Sequence, residues 1–332
     1  MNASGQSLAA DRTPCVKPHE RPRVGFIVGP TGAGKSALAM EIAERLGAEI
    51  VNADARQIYR GMDIGTAKPS REDRAKVPHH LIDVRSPADP IDVAAFAALA
   101  REACREIAAR GRAALVVGGS GLYLRALRGG IFSGPAASPE IRERLQRIAA
   151  EHGAGRLHDR LREIDPEAAS RIGYGDLYRI VRALEVFELT GEPISAHQRR
   201  HAFSARDFDC LTAGIATDRK QLYDAIDRRF DEMMAAGFTA EVRGLLAAGL
   251  RPDRAPLSSI GYKHIAAHLA GEVTEAAAIA LAKRDSRRLA KRQLTWFRHD
   301  PEIVWLDPSR PAEHALSLFS DFFAAGRAGV AA

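Results

Sequence analysis

The feature that most constrains this chain is a glycine-rich segment between an apolar run and a helical pattern. The segment matches GxxxxGK[ST] at every defined position. Its residues are Gly29, Pro30, Thr31, Gly32, Ala33, Gly34, Lys35 and Ser36. The glycines let successive backbone N–H groups point at phosphate oxygens, the lysine adds a charge, and the serine hydroxyl can ligate Mg²⁺. Because the segment follows a predicted strand and opens a predicted helix, it predicts a loop that holds a diphosphate.

The hydrophobic pattern around this loop predicts an α/β fold. Short apolar runs typical of buried strands occur at 24–28, 49–52 and 113–117. Helical spacing is found from Lys35 to about Gly47, at 91–110, at 218–236 and at 274–298. Strands that alternate with helices favour a P-loop NTPase-like parallel sheet flanked by helices. Between Pro139 and about Thr190 the pattern is purely helical and arginine-rich, which predicts a helical insertion domain.

These patterns divide the chain into five predicted segments. They are a flexible tail at 1–22, a P-loop catalytic core at 23–138, a helical insertion at 139–204, a return to the core with a basic helix at 205–310, and a C-terminal helix and tail at 311–332.

Length and composition are those of a globular protein. The 332 residues, 46% hydrophobic and 27% charged, can bury a full core. Cys15, Cys104 and Cys210 lack metal-ligand spacing, so we expect reduced thiols in a cytoplasmic protein. No apolar run approaches the roughly 20 residues of a membrane helix, and the polar N-terminus does not resemble a signal peptide.

The loop alone does not decide whether its diphosphate belongs to a nucleotide or is a leaving group. An NTPase usually has an acid at the end of an apolar strand to hold Mg²⁺. The most apolar run here, 114–117, ends instead in Gly118-Gly119-Ser120. Asp83, which follows Leu81 and Ile82, is a weak candidate for that acid.

Asp54 is the stronger candidate for chemistry. It follows the second predicted strand, where the carboxyl end of a P-loop sheet approaches the phosphate loop. A carboxylate there can act as general base for a nucleophile that attacks the bound phosphate compound. The segment that follows, 57–69, is too polar and too rich in glycine for a core, and it predicts a substrate-binding loop.

The helix predicted at 274–298 carries an unbalanced charge. From Lys283 to Arg298 it holds seven basic residues and one acid, Asp285. Four of the basic residues share one side at helical spacing; they are Arg284, Arg287, Arg288 and Lys291. A face of this charge favours binding to a phosphate backbone. Trp296 and Phe297 are expected to anchor the helix in the core.

Six separated blocks, in addition to the loop, resemble one known family, the tRNA dimethylallyltransferases. They keep the order found in that family and extend to Arg298. The blocks are 54–69 (DARQIYRGMDIGTAKP), 78–83 (PHHLID), 117–123 (VGGSGLY), 182–186 (RALEV), 260–263 (IGYK) and 290–298 (AKRQLTWFR).

The resemblance implies transfer of a dimethylallyl group from its diphosphate to the 6-amino group of adenine at tRNA position 37. The loop would then hold a leaving diphosphate, which would explain the missing acid. By resemblance, Asp54 accepts the proton of the amine, and the Gln57 amide reads the adenine. Lys35 would stabilise the departing charge, Ser120 would contact substrate through its hydroxyl, and Arg229 would bind the diphosphate.

The resemblance also implies the ligands of the site, which are tRNA, dimethylallyl diphosphate and Mg²⁺ on Ser36. Residues expected to contact tRNA are Asp54, Ala55, Arg56, Gln57, Ser120, Arg142, Arg179, Arg182, Lys263, Arg287, Lys291 and Arg292. Ala55, Ser120 and Ala225 stand where the family often has serine, threonine and arginine. We expect a monomer, because no apolar helix stripe remains for a partner.

Two alternatives stay open from the residues alone. A P-loop kinase of a small metabolite or nucleoside would use Asp54 as base, but it leaves the basic helix and the 57–69 loop unexplained. A nucleotide-gated RNA-binding protein without covalent chemistry would explain the charge, but it leaves Asp54 without a role.

Overall fold

A six-stranded sheet forms the centre of the molecule in the computed structural model, which describes residues 21–130, 134–135, 137–201 and 206–327. The strands are β1 (Arg23–Val28), β2 (Glu49–Asn52), β3 (His79–His80), β4 (Ala114–Gly118), β5 (Asp209–Gly214) and β6 (Ile303–Trp305). Their order is β3-β2-β4-β1-β5-β6, and every neighbouring pair is parallel. This confirms the predicted α/β class.

Helices cover both faces of the sheet and build the insertion. Along the described residues they are α1 (Lys35–Leu46), α2 (Arg71–Lys76), α3 (Val93–Ala109), α4 (Gly121–Gly129), α5 (Pro139–His152), α6 (Ala154–Ile164), α7 (Pro166–Arg171), α8 (Leu177–Thr190), α9 (Ile194–His201), α10 (Arg219–Ala235), α11 (Phe238–Ala247), α12 (Tyr262–Leu269), α13 (Glu275–Arg298) and α14 (Pro311–Arg327).

Alternate side chains of β1 point to opposite faces of the sheet, so one strand supports two cores. Phe26 joins the core that contains residues of α3, α4 and α13. Ile27 joins the core on the other face, with Ile42 of α1 and Phe319 of α14. All four side chains are fully buried. Burial on both faces explains why the strands have continuous apolar runs.

Helices α5 to α9 lie within the predicted insertion at 139–204. A separate core of buried side chains packs α5, α6, α7 and α8 together. Its largest fully packed members are Leu145, Leu157, Leu161, Ile180 and Leu184. The division of the chain into five segments stays a prediction. The predicted tail and Cys15 fall outside the described residues, except for residues 21–22.

Local signals placed most element ends correctly. Helix α1 begins at Lys35 and ends before Gly47, which is left-handed at φ 61°. Helices α10 and α13 begin after Asp218 and Thr274, whose side chains accept hydrogen bonds from backbone N–H groups of the first helical turn. Strands β3, β5 and β6 were not predicted, because β3 and β6 have only two and three residues and β5 is only partly apolar. None of the helices described here combines the length and apolar character that crossing a bilayer requires.

Candidate active site

The phosphate loop runs from the end of β1 to the start of α1 at the carboxyl edge of the sheet. Gly34, the last residue before the helix, is left-handed at φ 81°, which glycine adopts without a Cβ clash. The first N–H groups of α1 therefore lie at the loop, where they form a site for anions. Ser36 is exposed in the first turn of this helix.

Lys35 lies inside the loop rather than in solvent. Its ammonium donates to the Pro30 carbonyl at 2.7 Å. Burial lowers the pKa of Lys35 from its usual 10.5 to about 8; the Asp54 carboxylate opposes this shift, and the Arg229 cation adds to it. The three charged groups therefore lie within electrostatic reach of one another.

A cavity of about 670 Å³ opens beside the loop. Predicted site residues that line it are Thr31, Asp54, Ala55, Arg56, Ser120, Arg179, Arg229 and Arg292. Its apolar wall includes Ile226, Phe230, Met233, Leu289 and Phe297. A cavity that combines apolar walls with a few convergent polar groups suits a small ligand with an apolar part and a charged part.

Asp54 lies just after the carboxyl end of β2, and hydrogen bonds fix its orientation. Its N–H donates to Asn52 Oδ1 at 3.1 Å, and its Oδ1 accepts from the Arg56 N–H at 2.8 Å. Asn52 donates in turn to the Leu81 carbonyl at 3.2 Å. The carboxylate is thus held by the backbone on the cavity wall, which suits a group that must accept a proton from a bound ligand.

Arg229 reaches the cavity from α10. Its Nη2 donates to the Thr66 carbonyl at 3.2 Å, whereas its buried Nε has no hydrogen-bond partner among the described residues. Burial lowers the pKa of this guanidinium, and the charges of Asp54 and Glu232 oppose the shift. A buried N–H without an acceptor costs free energy that an anionic ligand can recover.

Ser120 and Gln57 differ in their access to the cavity. Ser120 precedes α4, and its hydroxyl makes no capping hydrogen bond within the described part of the chain. Gln57 is only 8% exposed, and its Nε2 donates to the Thr66 and Ala67 carbonyls at 3.1 and 3.2 Å. Its amide therefore holds the 57–69 loop in shape, and its predicted contact with adenine stays a prediction.

An ionic cluster secures the same loop. The Lys68 ammonium, with only 3% of its side chain exposed, lies 2.5 Å from Asp63 and 2.6 Å from Asp83. Arg74 also binds Asp83, at 3.0 Å. Asp83, the weak candidate for an Mg²⁺ acid, is thus engaged by two cations of the loop region.

Glu241 of α11 anchors the loop from the other side, and the sequence reasoning missed it. Its carboxylate accepts the backbone N–H groups of Asp63, Ile64 and Gly65 at 2.7–3.1 Å. The Tyr262 hydroxyl donates to it at 2.7 Å. The three backbone contacts join parts of the chain 176 or more positions apart, so no local pattern indicates them.

Of the three arginines in the predicted insertion that were expected to contact tRNA, two bind a carboxylate of the same segment. Arg142 and Arg182 both pair with Glu185, at 2.8 and 2.5 Å, and the Glu185 side chain is fully buried. Arg182 also donates to the Pro135 carbonyl at 3.0 Å. Arg179 differs, because it is exposed, lines the cavity and lies only loosely, at 3.5 Å, from Asp176.

Helix α13 carries the predicted basic face, but only some of its cations line an open surface, and others are paired with carboxylates. A surface groove of about 610 Å³ is lined by Arg125, Arg288, Lys291, Arg292, Thr295, Trp296 and His299. Arg287 lies instead against Asp227 of α10 at 2.6 Å, and Lys263 lies 3.8 Å from Asp285. Phe297 is buried as predicted, whereas Trp296 is only partly buried and has Arg125 stacked over its ring.

The described residues contain no group of three or more His, Cys, Asp or Glu side chains arranged to hold a metal. Ser36, exposed at the N-terminus of α1, offers a hydroxyl beside the loop, and Thr31 offers another within it. This donor set fits Mg²⁺, which commonly keeps several waters and shares phosphate oxygens with its substrate.

Known proteins of similar sequence cover nearly the whole chain. A model of the IPP transferase family matches residues 57–300. The tRNA dimethylallyltransferase of Geobacter metallireducens is 47% identical over 308 residues, 93% of this chain and 100% of that protein. The tRNA dimethylallyltransferase 1 of Pelobacter propionicus is 49% identical over 302 residues, 90% of this chain and 98% of that protein.

Solved structures agree in fold. The full-length tRNA isopentenylpyrophosphate transferase from Bacillus halodurans superposes with a TM-score of 0.68 at 37% identity, over 92% of this chain and 98% of that one. A eukaryotic dimethylallyltransferase acting on tRNA gives a TM-score of 0.77 at 24% identity, over 91% of this chain and 80% of that one. At that identity the likeness establishes a shared fold.

Proposed function

The chain belongs to the IPP transferase family and is a tRNA prenyltransferase, and we propose which of its residues carry the transfer. The donor is dimethylallyl diphosphate, and the acceptor is the 6-amino group of the adenine at tRNA position 37. The observation that carries the assignment is that the Arg229 guanidinium, the Asp54 carboxylate and Thr31 of the phosphate loop line one cavity.

The transfer exchanges one bond for another. The bond between the allylic carbon of the donor and the diphosphate oxygen breaks, and its electron pair leaves with the diphosphate. The adenine nitrogen forms a bond to the same carbon, and Asp54 takes a proton from that nitrogen. The adenine amine is a weak nucleophile, because its lone pair is delocalised into the ring, so proton removal during attack is important.

The phosphate loop and two cations stabilise the leaving group. Negative charge grows on the diphosphate as the carbon–oxygen bond breaks. Lys35, Arg229 and the N–H groups at the start of α1 lie where that charge develops, and their burial strengthens the interaction. Mg²⁺ on the Ser36 hydroxyl would supply further charge neutralisation to the diphosphate when bound.

The remaining polar groups hold the acceptor. The Ser120 hydroxyl faces the cavity from the start of α4 and can contact the substrate. Gln57 fixes the loop that would surround the adenine, and Arg56 and Arg179 line the entrance. A target base must leave its stack to reach such a cavity, and single-stranded loops permit this at the lowest cost.

The surface of α13 is the proposed contact with the tRNA backbone. Lys291 and Arg292 line the surface groove on α13, and Arg292 also lines the cavity that contains Asp54. An RNA strand bound in the groove would therefore lie next to the entrance of that cavity. Four other predicted tRNA contacts are already paired with carboxylates, so we propose that they support the RNA-binding surface rather than bind phosphate. They are Arg142, Arg182, Arg287 and Lys263. We further propose that the protein acts as a monomer in the cytoplasm.

The two earlier alternatives differ in their support. The relatives named above are tRNA dimethylallyltransferases, which supports prenyl transfer over a kinase of a small metabolite. A non-catalytic RNA-binding role leaves unexplained why a backbone-oriented carboxylate and two buried cations share one cavity.

The proposal is tested with donor labelled in the dimethylallyl group and unmodified anticodon stem-loop RNA that carries adenine or guanine at position 37. We expect label in the adenine RNA alone. Asp54→Asn should lower the rate by about 10²–10⁴-fold and leave RNA affinity unchanged. A loss of RNA affinity as large as the loss of transfer rate in Asp54→Asn would show that Asp54 orders the RNA and would contradict its role as base.

A further inference from the structure

The side chain of Gln293 in α13 joins the two loops that form the floor of the cavity. Its Oε1 accepts the Thr31 N–H at 2.9 Å, and its Nε2 donates to the Gly119 carbonyl at 2.9 Å. Thr31 belongs to the phosphate loop, and Gly119 precedes Ser120. We propose that Gln293 is a positioning residue that fixes the spacing of these loops and couples RNA docking on α13 to diphosphate binding.

The chemistry of the contact requires an amide of this length. The bridge needs one acceptor atom and one separate donor atom at the same side-chain end, which the primary amides of Gln and Asn supply without charge. Asn is shorter by one methylene and would not reach both loops. Glu keeps the acceptor for Thr31 but presents a second oxygen to the Gly119 carbonyl, so one half of the bridge becomes repulsive.

The backbone around Gly119 is built for this close approach. A Cβ at Gly119 would lie 2.6 Å from Gln293 Nε2 and 3.2 Å from the Gly29 carbonyl, so a larger residue there would displace the Gln293 amide. A Cβ at Gly121 would lie 2.5 Å from the Trp296 ring, three positions further along α13. The helix therefore contacts this loop at two points on one of its faces.

The proposed RNA contacts lie on the adjoining side of α13, and Arg292 and Trp296 border both the surface groove and the cavity. Lys291 and Arg292 immediately precede Gln293 and line the surface groove. Because the three residues belong to one helix, an RNA phosphate that restrains Lys291 and Arg292 also restrains the bridge. A second ligand that binds loops already ordered in this way loses less conformational entropy, so its affinity rises. By linkage, diphosphate must raise RNA affinity by the same factor.

The inference rests on the proposed function, since it assumes that the phosphate loop binds diphosphate and α13 binds RNA. The experiment measures the dissociation constant of inorganic diphosphate with Mg²⁺ by calorimetry, with and without anticodon stem-loop RNA. For the wild-type chain we expect RNA to tighten diphosphate binding about tenfold. Gln293→Met should bind each ligand singly but show a ratio of about 1.

Two further variants separate coupling from general damage. Gln293→Glu should also lose the coupling. The coupling is the ratio of the diphosphate affinities with and without RNA, so the effect of the added charge on both affinities largely cancels. Gln221→Met makes the same change at an exposed position of α10 and should keep the wild-type ratio. If Gln293→Met does not fold, Gln293→Glu decides.

The outcomes discriminate between the two claims. A wild-type ratio in Gln293→Met or Gln293→Glu, or a wild-type ratio of one, overturns the coupling role and leaves the proposed function intact. Failure of the wild-type chain to bind diphosphate would contradict the proposed function itself.

Discussion

The core and the insertion both hold arginines to which the family resemblance assigns a ligand contact, yet these arginines have opposite surroundings. In the core, Arg229 is partly buried, has an unpartnered Nε and faces a cavity. In the insertion, Arg142 and Arg182 share the buried carboxylate of Glu185. The difference teaches that a cation belongs to a binding site when its partner must come from outside, and to the scaffold when the chain supplies one.

The same contrast recurs within one helix. Arg287 of α13 binds Asp227 of the neighbouring helix, whereas Lys291, one turn later, has no salt bridge among the described residues and lines the groove. Both belong to the basic side predicted from spacing. Spacing thus locates the charged helix, and the neighbouring elements decide which of its cations are available to RNA.

The largest expected effect comes from removing the core arginine. Arg229→Met should lower the rate of transfer by about 10²–10³-fold, because the departing diphosphate loses a buried donor. The melting temperature should change little, since the variant removes an unsatisfied buried N–H together with one hydrogen bond, and the Thr66 carbonyl keeps the Gln57 amide as a donor. Steady-state kinetics and thermal unfolding measure both quantities. Arg228→Met, at the exposed neighbouring position, is the control, and an equal loss of rate there would contradict the contrast.

The insertion should respond in the opposite sense. Glu185→Ala leaves two arginines without their shared acceptor and should lower the free energy of unfolding by about 3 kcal/mol, near the low end of the usual range because the arginines are partly solvated. Diphosphate affinity should not change. Denaturant unfolding measures the loss. Glu192→Ala, which breaks an exposed pair with Arg200, should cost less than about 1 kcal/mol.

Glu185 also predicts a pH dependence of stability. Burial alone would raise its pKa, but hydrogen bonds from Arg142, Arg182 and the Ser138 N–H lower it below the usual 4.5. A carboxyl with a depressed pKa stabilises the fold above its unfolded pKa, and this contribution is lost as pH falls through the folded value. Stability of Glu185→Ala should therefore converge on that of the wild type in acid.

Lys35 provides a smaller and pH-dependent test of the core. With a pKa of about 8, it is charged below that pH and neutral above it, until a bound diphosphate raises the value. Diphosphate binding should therefore weaken by up to about tenfold per pH unit above about 8, with uptake of a proton. Calorimetry in buffers of different ionisation enthalpy measures both. An identical pH profile in Lys35→Met would show that another group is responsible.

The smallest effect is expected on α13. Lys291→Ala should weaken RNA binding a few-fold and reduce the slope of log affinity against log salt by about 0.7–0.9, as for one phosphate contact. Arg287→Ala should leave the slope unchanged, because Asp227 already neutralises Arg287. Equal changes in slope would show that the ion pair opens when RNA binds.

The parts of this protein that could be predicted are those specified by local sequence. Gly34 and Lys35 fix the loop and the start of α1, and alternation of apolar runs gives the parallel sheet. The position of Asp54 at the end of β2 follows from the length of that strand. These features depend on residues a few positions apart, so backbone geometry is sufficient to predict them.

The remaining features depend on contacts between distant segments. Gln293 and Thr31 are 262 positions apart, and Glu241 lies 176 positions from Gly65. Glu241 does not differ in type or spacing from an ordinary polar residue on a helix, and the 290–298 block marks the segment of Gln293 without indicating its contacts. Gln57 illustrates the same limit, because its amide suits adenine but the folded chain directs its donors to the Thr66 and Ala67 carbonyls.

The central claim is that the phosphate loop holds a departing diphosphate while the carbon chain moves to RNA. The most direct measurement uses dimethylallyl diphosphate with one radiolabel in the prenyl group and another in the phosphorus, incubated with the wild-type chain, Mg²⁺ and unmodified tRNA. The account predicts prenyl label in the RNA and an equal amount of phosphorus label released as diphosphate. Phosphorus label in the RNA, or no transfer of prenyl label while phosphate passes from ATP to a small acceptor, would contradict it.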